Sequence, residues 1–349
     1  MNLLKKNKNR PAGPVFFILG ILFVVFFTAD ILLGSIIIPV KQVFYAFFSS
    51  SETSESFRTI VLEFRLPKAL TAVFTGAALS LSGLQMQTVF RNPLAGPYVL
   101  GISAGATLGV ALFVLGFSSA FAFGIFSSTG AWSIALVAWA GSFLVMLLVL
   151  YVSARVNDIM TLLILGILFT SAVTAVVSIL QYFSNESMLK AFVIWTMGSL
   201  GSVTKSQLMV LAPAIIAGII LAFLKIKDLN AFLLGEDYAR SLGVSIKTSR
   251  VIIFLSTSLL AGTITAFCGP IGFIGIAVPH ICRVIFKTAN HLVLVPAVIL
   301  TGSIVMLFSD IVSQLPGMQT TLPINSVTAL IGIPVIIWMI VKNRKFVSV

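Results

Sequence analysis

The 349-residue chain is 58% hydrophobic and only 9% charged, against about 25% charged residues in an ordinary soluble domain, so apolar faces must meet lipid and a soluble fold is excluded. A formal net charge of +12 would suit nucleic acid. However, the lysines and arginines fall between apolar runs, where they set membrane orientation, and no basic stripe is interleaved with aromatics.

In chain order, a basic stretch (Lys5, Lys6, Lys8, Arg10) precedes an apolar run from Pro14 to Gly34. That run exceeds the roughly 7–15-residue core of a signal peptide and reads as a retained first span. A helix crossing ~30 Å of hydrocarbon needs about 20 residues. Apolar runs of that kind predict about ten transmembrane helices, at 14–34, 67–87, 97–117, 131–153, 159–182, 207–224, 250–268, 272–286, 292–312 and 324–341. The fold class is therefore an all-α polytopic membrane protein, one transmembrane domain over 1–349 with tails at 1–13 and 342–349. The third and eighth spans are broken by Asn92-Pro93, Gly96-Pro97, Gly269-Pro270 and Pro279; such breaks survive in a membrane only where protein or a water-filled cavity covers the backbone. Gly101, Gly105 and Gly109 predict close helix packing. With the N-terminus inside, 16 of the 22 basic residues lie on the cytoplasmic side and 6 outside, which predicts that both termini are cytoplasmic.

The missing chemistry is also informative. There is no Gly-Lys dipeptide and hence no G-x-x-x-x-G-K-[ST] loop, so ATP hydrolysis by this chain is not expected. Asp30 and Asp310 fall in the outer parts of their spans and no acidic residue falls mid-span, whereas ion-coupled carriers place ionisable groups near the midplane. Cys268 and Cys282 lie in apolar surroundings and read as small buried hydrophobes, while His280 and His291 bracket an inner loop as interfacial polar residues. The longest inner loop, 225–249, is too polar to span. Glu236 and Asp237 stand at the start of a short helix, Arg240 near its end, and Gly243 at its C-cap.

Several segments carry a resemblance. Arg65-Leu66-Pro67-Lys68 with Gly76, Ser82-Gly83 and Gln87, then Arg91-Asn92-Pro93-Leu94-Ala95 and Leu100-Gly101, resemble the opening signature of the FecCD/BtuC-like permeases of ABC importers. Trp195-Thr196-Met197-Gly198 resembles the family's outer W-x-x-G, and Gly269 to Gly275 with Pro279-His280 and Arg283 its G-P-I block. Leu322-Pro323-Ile324 and Ile331-Gly332-Ile333-Pro334 resemble its closing element. The matches run from about residue 60 to 335 in family order.

The resemblance implies a type II importer permease of the bacterial cytoplasmic (inner) membrane, working as a homodimer with the substrate path on the two-fold axis. Its partners would be two ATP-binding-cassette ATPase subunits, which use ATP and Mg, and an extracytoplasmic substrate-binding protein. No cofactor is expected on this chain. The cargo class is a metal chelate, with ferric siderophore ahead of haem and cobalamin. The loop residues Leu234, Gly235, Glu236, Ala239, Arg240, Leu242 and Gly243 resemble the family's coupling loop; Leu234, Ala239 and Leu242 are the expected ATPase contacts and Glu236 and Arg240 the polar ends. Arg65 and Lys68, three residues apart and on one helical face, are the expected docking charges for the binding protein, with Arg58 assisting. Gln314 stands where the family usually has a third basic residue, and Asn325 replaces the glycine of its P-x-G. The alternative function is a stand-alone secondary transporter or channel.

Overall fold

The structure, a computed structural model, describes residues 12–34, 38–48, 54–116, 131–156, 158–315 and 320–342. The expected tails, with Lys5, Lys6, Lys8, Arg10, Arg344 and Lys345, lie outside these residues except for Ala12, Gly13 and Lys342. Regular structure among the described residues is entirely helical: α1 (Ala12–Leu32), α2 (Val40–Phe48) and α3 (Glu55–Thr59), which runs through a π turn (Ile60–Arg65) into α4 (Leu66–Val89). A 3-10 turn at Pro97–Leu100 leads into α5 (Ile102–Val114), followed by α6 (Ala131–Arg155), α7 (Ile159–Phe183), α8 (Glu186–Thr196), α9 (Lys205–Leu224), α10 (Ile226–Phe232) and α11 (Glu236–Ser241). The remaining helices are α12 (Ile246–Cys268), α13 (Ile274–Phe286), α14 (His291–Ser313) and α15 (Ile324–Lys342).

Eight helices among the described residues are long and apolar enough to cross a membrane, and each falls on an expected span. The other two expected spans, 97–117 and 272–286, are α5 and α13 of 13 residues each, about 20 Å long and too short to cross alone. Their lead-ins are non-helical: Gly101 (φ 76°), Gly269 (φ 77°) and Phe273 (φ 68°) turn the chain through positive φ. The two breaks cover each other. The Tyr98 hydroxyl donates to the Ile271 carbonyl at 3.0 Å and accepts the Ile271 N–H at 3.4 Å. Backbone groups freed by the breaks thus find partners inside protein, as a lipid environment requires.

The second span differs in its start. Hydropathy places it at 67, but the helix begins at Glu55 and forms one 35-residue apolar rod with α4. Glu63, Arg65 and Lys68 dilute the hydropathy without breaking the backbone, because a π turn accommodates one extra residue within a continuing helix.

α4 is the axis of the bundle and packs against α14, α12, α13 and α9. A Cβ at Gly83 would overlap the Gly275 carbonyl, and one at Gly76 the Gly302 carbonyl, so α4 meets α13 and α14 backbone to backbone. Gly105 and Gly109 press likewise on α6 at Gly141 and Val137, as expected, whereas Gly101 is a turn residue rather than part of that face. The larger apolar cluster fills the space around α4, α12 and α14. A smaller one, including Met86, Phe90, Leu229, Phe232, Ala239 and Phe254, lies under α10 and α11 and seats them on the membrane helices.

Candidate functional site

The short helix expected within 225–249 exists, as α11 at Glu236–Ser241. Gly235 (φ 111°, ψ 151°) opens it in a conformation open to glycine alone, and a Cβ there would strike Arg91 Nη2. Gly243 (φ 83°) closes it: its N–H donates to the Arg240 carbonyl at 3.0 Å, and Val244 N–H to Ala239 at 3.1 Å. That bond pair is a Schellman cap with glycine at its left-handed position.

The residues of α11 divide between two faces. Tyr238 on the helix and Leu234 and Leu242 flanking it are 54%, 64% and 59% exposed, an apolar surface with the exposed Asp237 and Arg240 on the same helix. The expected contact Ala239 is corrected: it is fully buried in the cluster under α11 and faces the permease itself. Glu236 also looks inward. Arg250 of α12 donates to it from Nη2 to Oε2 at 2.6 Å and from Nε to Oε1 at 3.1 Å, the forked geometry of a strong pair. The Arg250 side chain is nearly buried and Glu236 about a quarter exposed. Tyr238 was not anticipated from sequence, although its spacing from Leu234 and Leu242 carries the signal.

At the opposite end of α4, the two expected docking charges, Arg65 and Lys68, have acceptors within the fold. Arg65 is 9% exposed, and Nη1 donates to the Ile31 and Leu32 carbonyls at 2.8 and 2.9 Å. These are carbonyls at the C-terminus of α1, where a cation is favourable and α1 carries no basic residue of its own. Lys68 pairs with the buried Asp310 at 3.0 Å. Gln314 Nε2 donates to Asp30 at 3.0 Å and to Asp310 at 2.9 Å, so the amide sits between two carboxylates and joins α1 to α14. Arg58 is exposed on α3.

The motif segments meet at this same end. Asn325 N–H donates to the Met197 carbonyl at 3.3 Å, and Gly272 N–H donates to Asn325 Oδ1 at 3.0 Å. Asn325, the departure from P-x-G, therefore bonds the backbone of the Gly269–Gly275 turn. A cavity of about 420 Å³ opens beside it, lined by Lys68, Asp310, Met197, Gly198, Leu322 and Pro323.

Residues 21–342 match the FecCD transport family. The chain is 34% identical over 297 residues to the hemin transport system permease protein HmuU of Yersinia pestis, covering 85% of this chain and 87% of that protein. It is 35% identical over 286 residues to the vitamin B12 import system permease protein BtuC of Salmonella paratyphi A, covering 82% and 84%. A solved inward-facing metal-chelate type ABC transporter superposes with a TM-score of 0.80 at 28% identity, covering 95% of this chain and 99% of that one. With a match across nearly the whole chain and helices to cross the bilayer many times, the protein is a multi-pass permease of a bacterial inner membrane, and it belongs to the FecCD transport family, the membrane component of ABC importers of the metal-chelate, haem and cobalamin type.

Proposed function

We propose that two copies of this chain form the path of an importer for a ferric siderophore, driven by two ATP-binding-cassette subunits seated on α11. The observation that carries the coupling role is the exposed apolar surface of Tyr238 with Leu234 and Leu242 at the two ends of α11, whose other side is fixed by Ala239 and Glu236. An element that is apolar outward and locked inward suits a groove on a rigid partner and passes its displacement on. In this reading the α11 end is cytoplasmic, both termini lie on that side, and ATP and Mg are handled by the partner alone.

In this reading the second copy packs along α7, where Ser171, Thr174 and Ser178 lie on the exposed side, each hydroxyl donating to the carbonyl of its own preceding turn at 2.9–3.0 Å. The binding protein docks at the Asp310 end, with Arg58 as the accessible charge and Arg65, Lys68 and Gln314 shaping the surface beneath. Ferric siderophore is chosen as the commoner cargo of this family; HmuU and BtuC are named for hemin and vitamin B12.

Reconstitution in vesicles with the ATPase subunit and the binding protein tests the proposal. ATP-dependent, vanadate-sensitive accumulation of a ferric siderophore is the expected result. Accumulation of haemin or cyanocobalamin instead would reassign the cargo, and transport driven by an ion gradient without the ATPase would replace the importer with a secondary carrier.

A further inference from the structure

A second attachment joins the α10–α11 elbow to the membrane helices, and the polarity of its hydrogen bonds can be traced atom by atom. Asn290 caps α14, its Oδ1 accepting the Leu292 N–H at 3.0 Å, so the atom there is oxygen. Asn230 of α10 donates its amide Nδ2–H to that oxygen at 3.0 Å. Its own Oδ1 therefore faces His291, accepting the backbone N–H at 2.8 Å and the ring Nδ1–H at 2.9 Å. A neutral imidazole with its proton on Nδ1 leaves Nε2 as an acceptor, 2.8 Å from the Thr88 hydroxyl in the last turn of α4; that hydroxyl also lies 2.9 Å from the Leu84 carbonyl, so Nε2 shares the hydroxyl's one proton with the helix backbone. His291 and Thr88 are both buried.

The neighbouring residue on α4 carries the chain of bonds onward. Gln87 Nε2 donates to the Ile276 carbonyl of the broken helix α13 at 3.2 Å, and Gln87 Oε1 accepts from Arg283 of the same helix. The last turn of α4 is thus bonded on one side to α10 through His291 and on the other to α13 through Gln87. The Glu236–Arg250 pair is a separate tie, from α11 to α12.

We infer that Asn230, His291 and Thr88 are positioning residues for coupling: they register the elbow to the inner turn of α4, so that a displacement of α11 reaches α13, while Glu236 and Arg250 only keep α11 seated. The inference deepens the proposed importer role and rests on it. Breaking the link leaves the ATPase docked and hydrolysing while transport per ATP falls. Breaking the Glu236–Arg250 pair weakens docking itself.

Thr88→Val is nearly isosteric and removes one hydroxyl; Asn230→Ala cuts the same link at its other end. Both are measured in vesicles containing the ATPase and the binding protein. The probe is whichever of a ferric hydroxamate siderophore, haemin or cyanocobalamin the wild type accumulates with ATP. Molecules imported per ATP hydrolysed should fall on the order of tenfold in each variant, because Thr88→Val takes the hydroxyl from His291 Nε2 and Asn230→Ala takes the acceptor from the buried His291 N–H groups. The double variant should fall no further than the worse single one, since both cut one link. Thr88→Ser, which keeps the hydroxyl, should restore most of the ratio. An unchanged ratio in Thr88→Val and Asn230→Ala overturns the inference. So does a loss of import that Thr88→Ser fails to restore, or one that tracks loss of hydrolysis and of thermal stability, because the link would then serve folding alone. Failure of the importer reading is a separate result: wild-type vesicles would accumulate none of the three probes with ATP.

Discussion

The two ends of α4 use similar side chains in opposite ways. At the Asp310 end, Arg65, Lys68 and Gln314 fold inward and tie α1, α4 and α14 together through two carboxylates and two backbone carbonyls. At the α11 end, one charged pair holds the back of a short helix, and the surface left to a partner is apolar, with loosely paired charges on the same helix. A basic residue near a membrane surface is available for docking only if the fold supplies no nearer acceptor. Arg65 and Lys68 have one; Arg58 stands exposed.

The strongest way to break this contrast is Gly243→Pro. Proline holds φ near −65°, whereas position 243 sits at +83° and donates to Arg240. The cap and the last turn of α11 should be lost, with ATPase co-purification and ATP-driven import abolished while the permease still inserts. Normal import would remove α11 as the lever.

Arg250→Leu comes next. It leaves Glu236 without its fork, a loss of about 2–3 kcal/mol after discounting for the partial exposure of the carboxylate. The affinity of the ATPase for the permease should fall at least tenfold, with partial recovery in the swapped pair Glu236→Arg/Arg250→Glu. Equal affinity in all three proteins would show that the pair seats nothing.

At the other end, Lys68→Met should lower stability by about 1–3 kcal/mol, because the buried Asp310 loses its ion pair. Thermal unfolding in detergent checks it. An unchanged midpoint, with binding-protein affinity lost, would restore Lys68 to the docking role. Arg58→Glu sharpens the comparison from the opposite side. It should leave the unfolding midpoint in place and weaken the binding protein several-fold at low salt, less at high salt, since exposed charges are screened over about 10 Å at 0.1 M. Smallest of all is Arg240→Gln, whose ion pair with Asp237 spans 3.6 Å between exposed side chains. No change in unfolding midpoint is expected.

Much of the bundle was legible because a lipid-crossing helix must be written as a continuous apolar run. Even the breaks before α5 and α13 show as Gly-Pro pairs. The short helices α2 and α8 were not legible, since nine and eleven residues leave too little periodicity beside longer runs. α11 was readable from local signals, acidic residues at its start and a glycine at its end. What no local signal carries is which way a charge turns. The acceptors of Arg65 lie on α1 and that of Lys68 on α14, both distant in sequence, so a resemblance that implied a docking pair at 65 and 68 gave no sign of the clamp the fold builds there. The partner of Glu236 was closer, at Arg250, but hidden by the turn that brings α12 back beneath α11.

The unbroken rod from Glu55 to Val89 has a consequence for reach. Its 35 residues at 1.5 Å each extend about 52 Å, against ~30 Å of hydrocarbon. With the Val89 end level with one membrane boundary, an upright rod meets the other near Lys68, and Arg58 then stands about 15 Å beyond it. The rod is a mast as well as a span, and it carries its one exposed arginine to a height where a soluble protein meets it before meeting the headgroups.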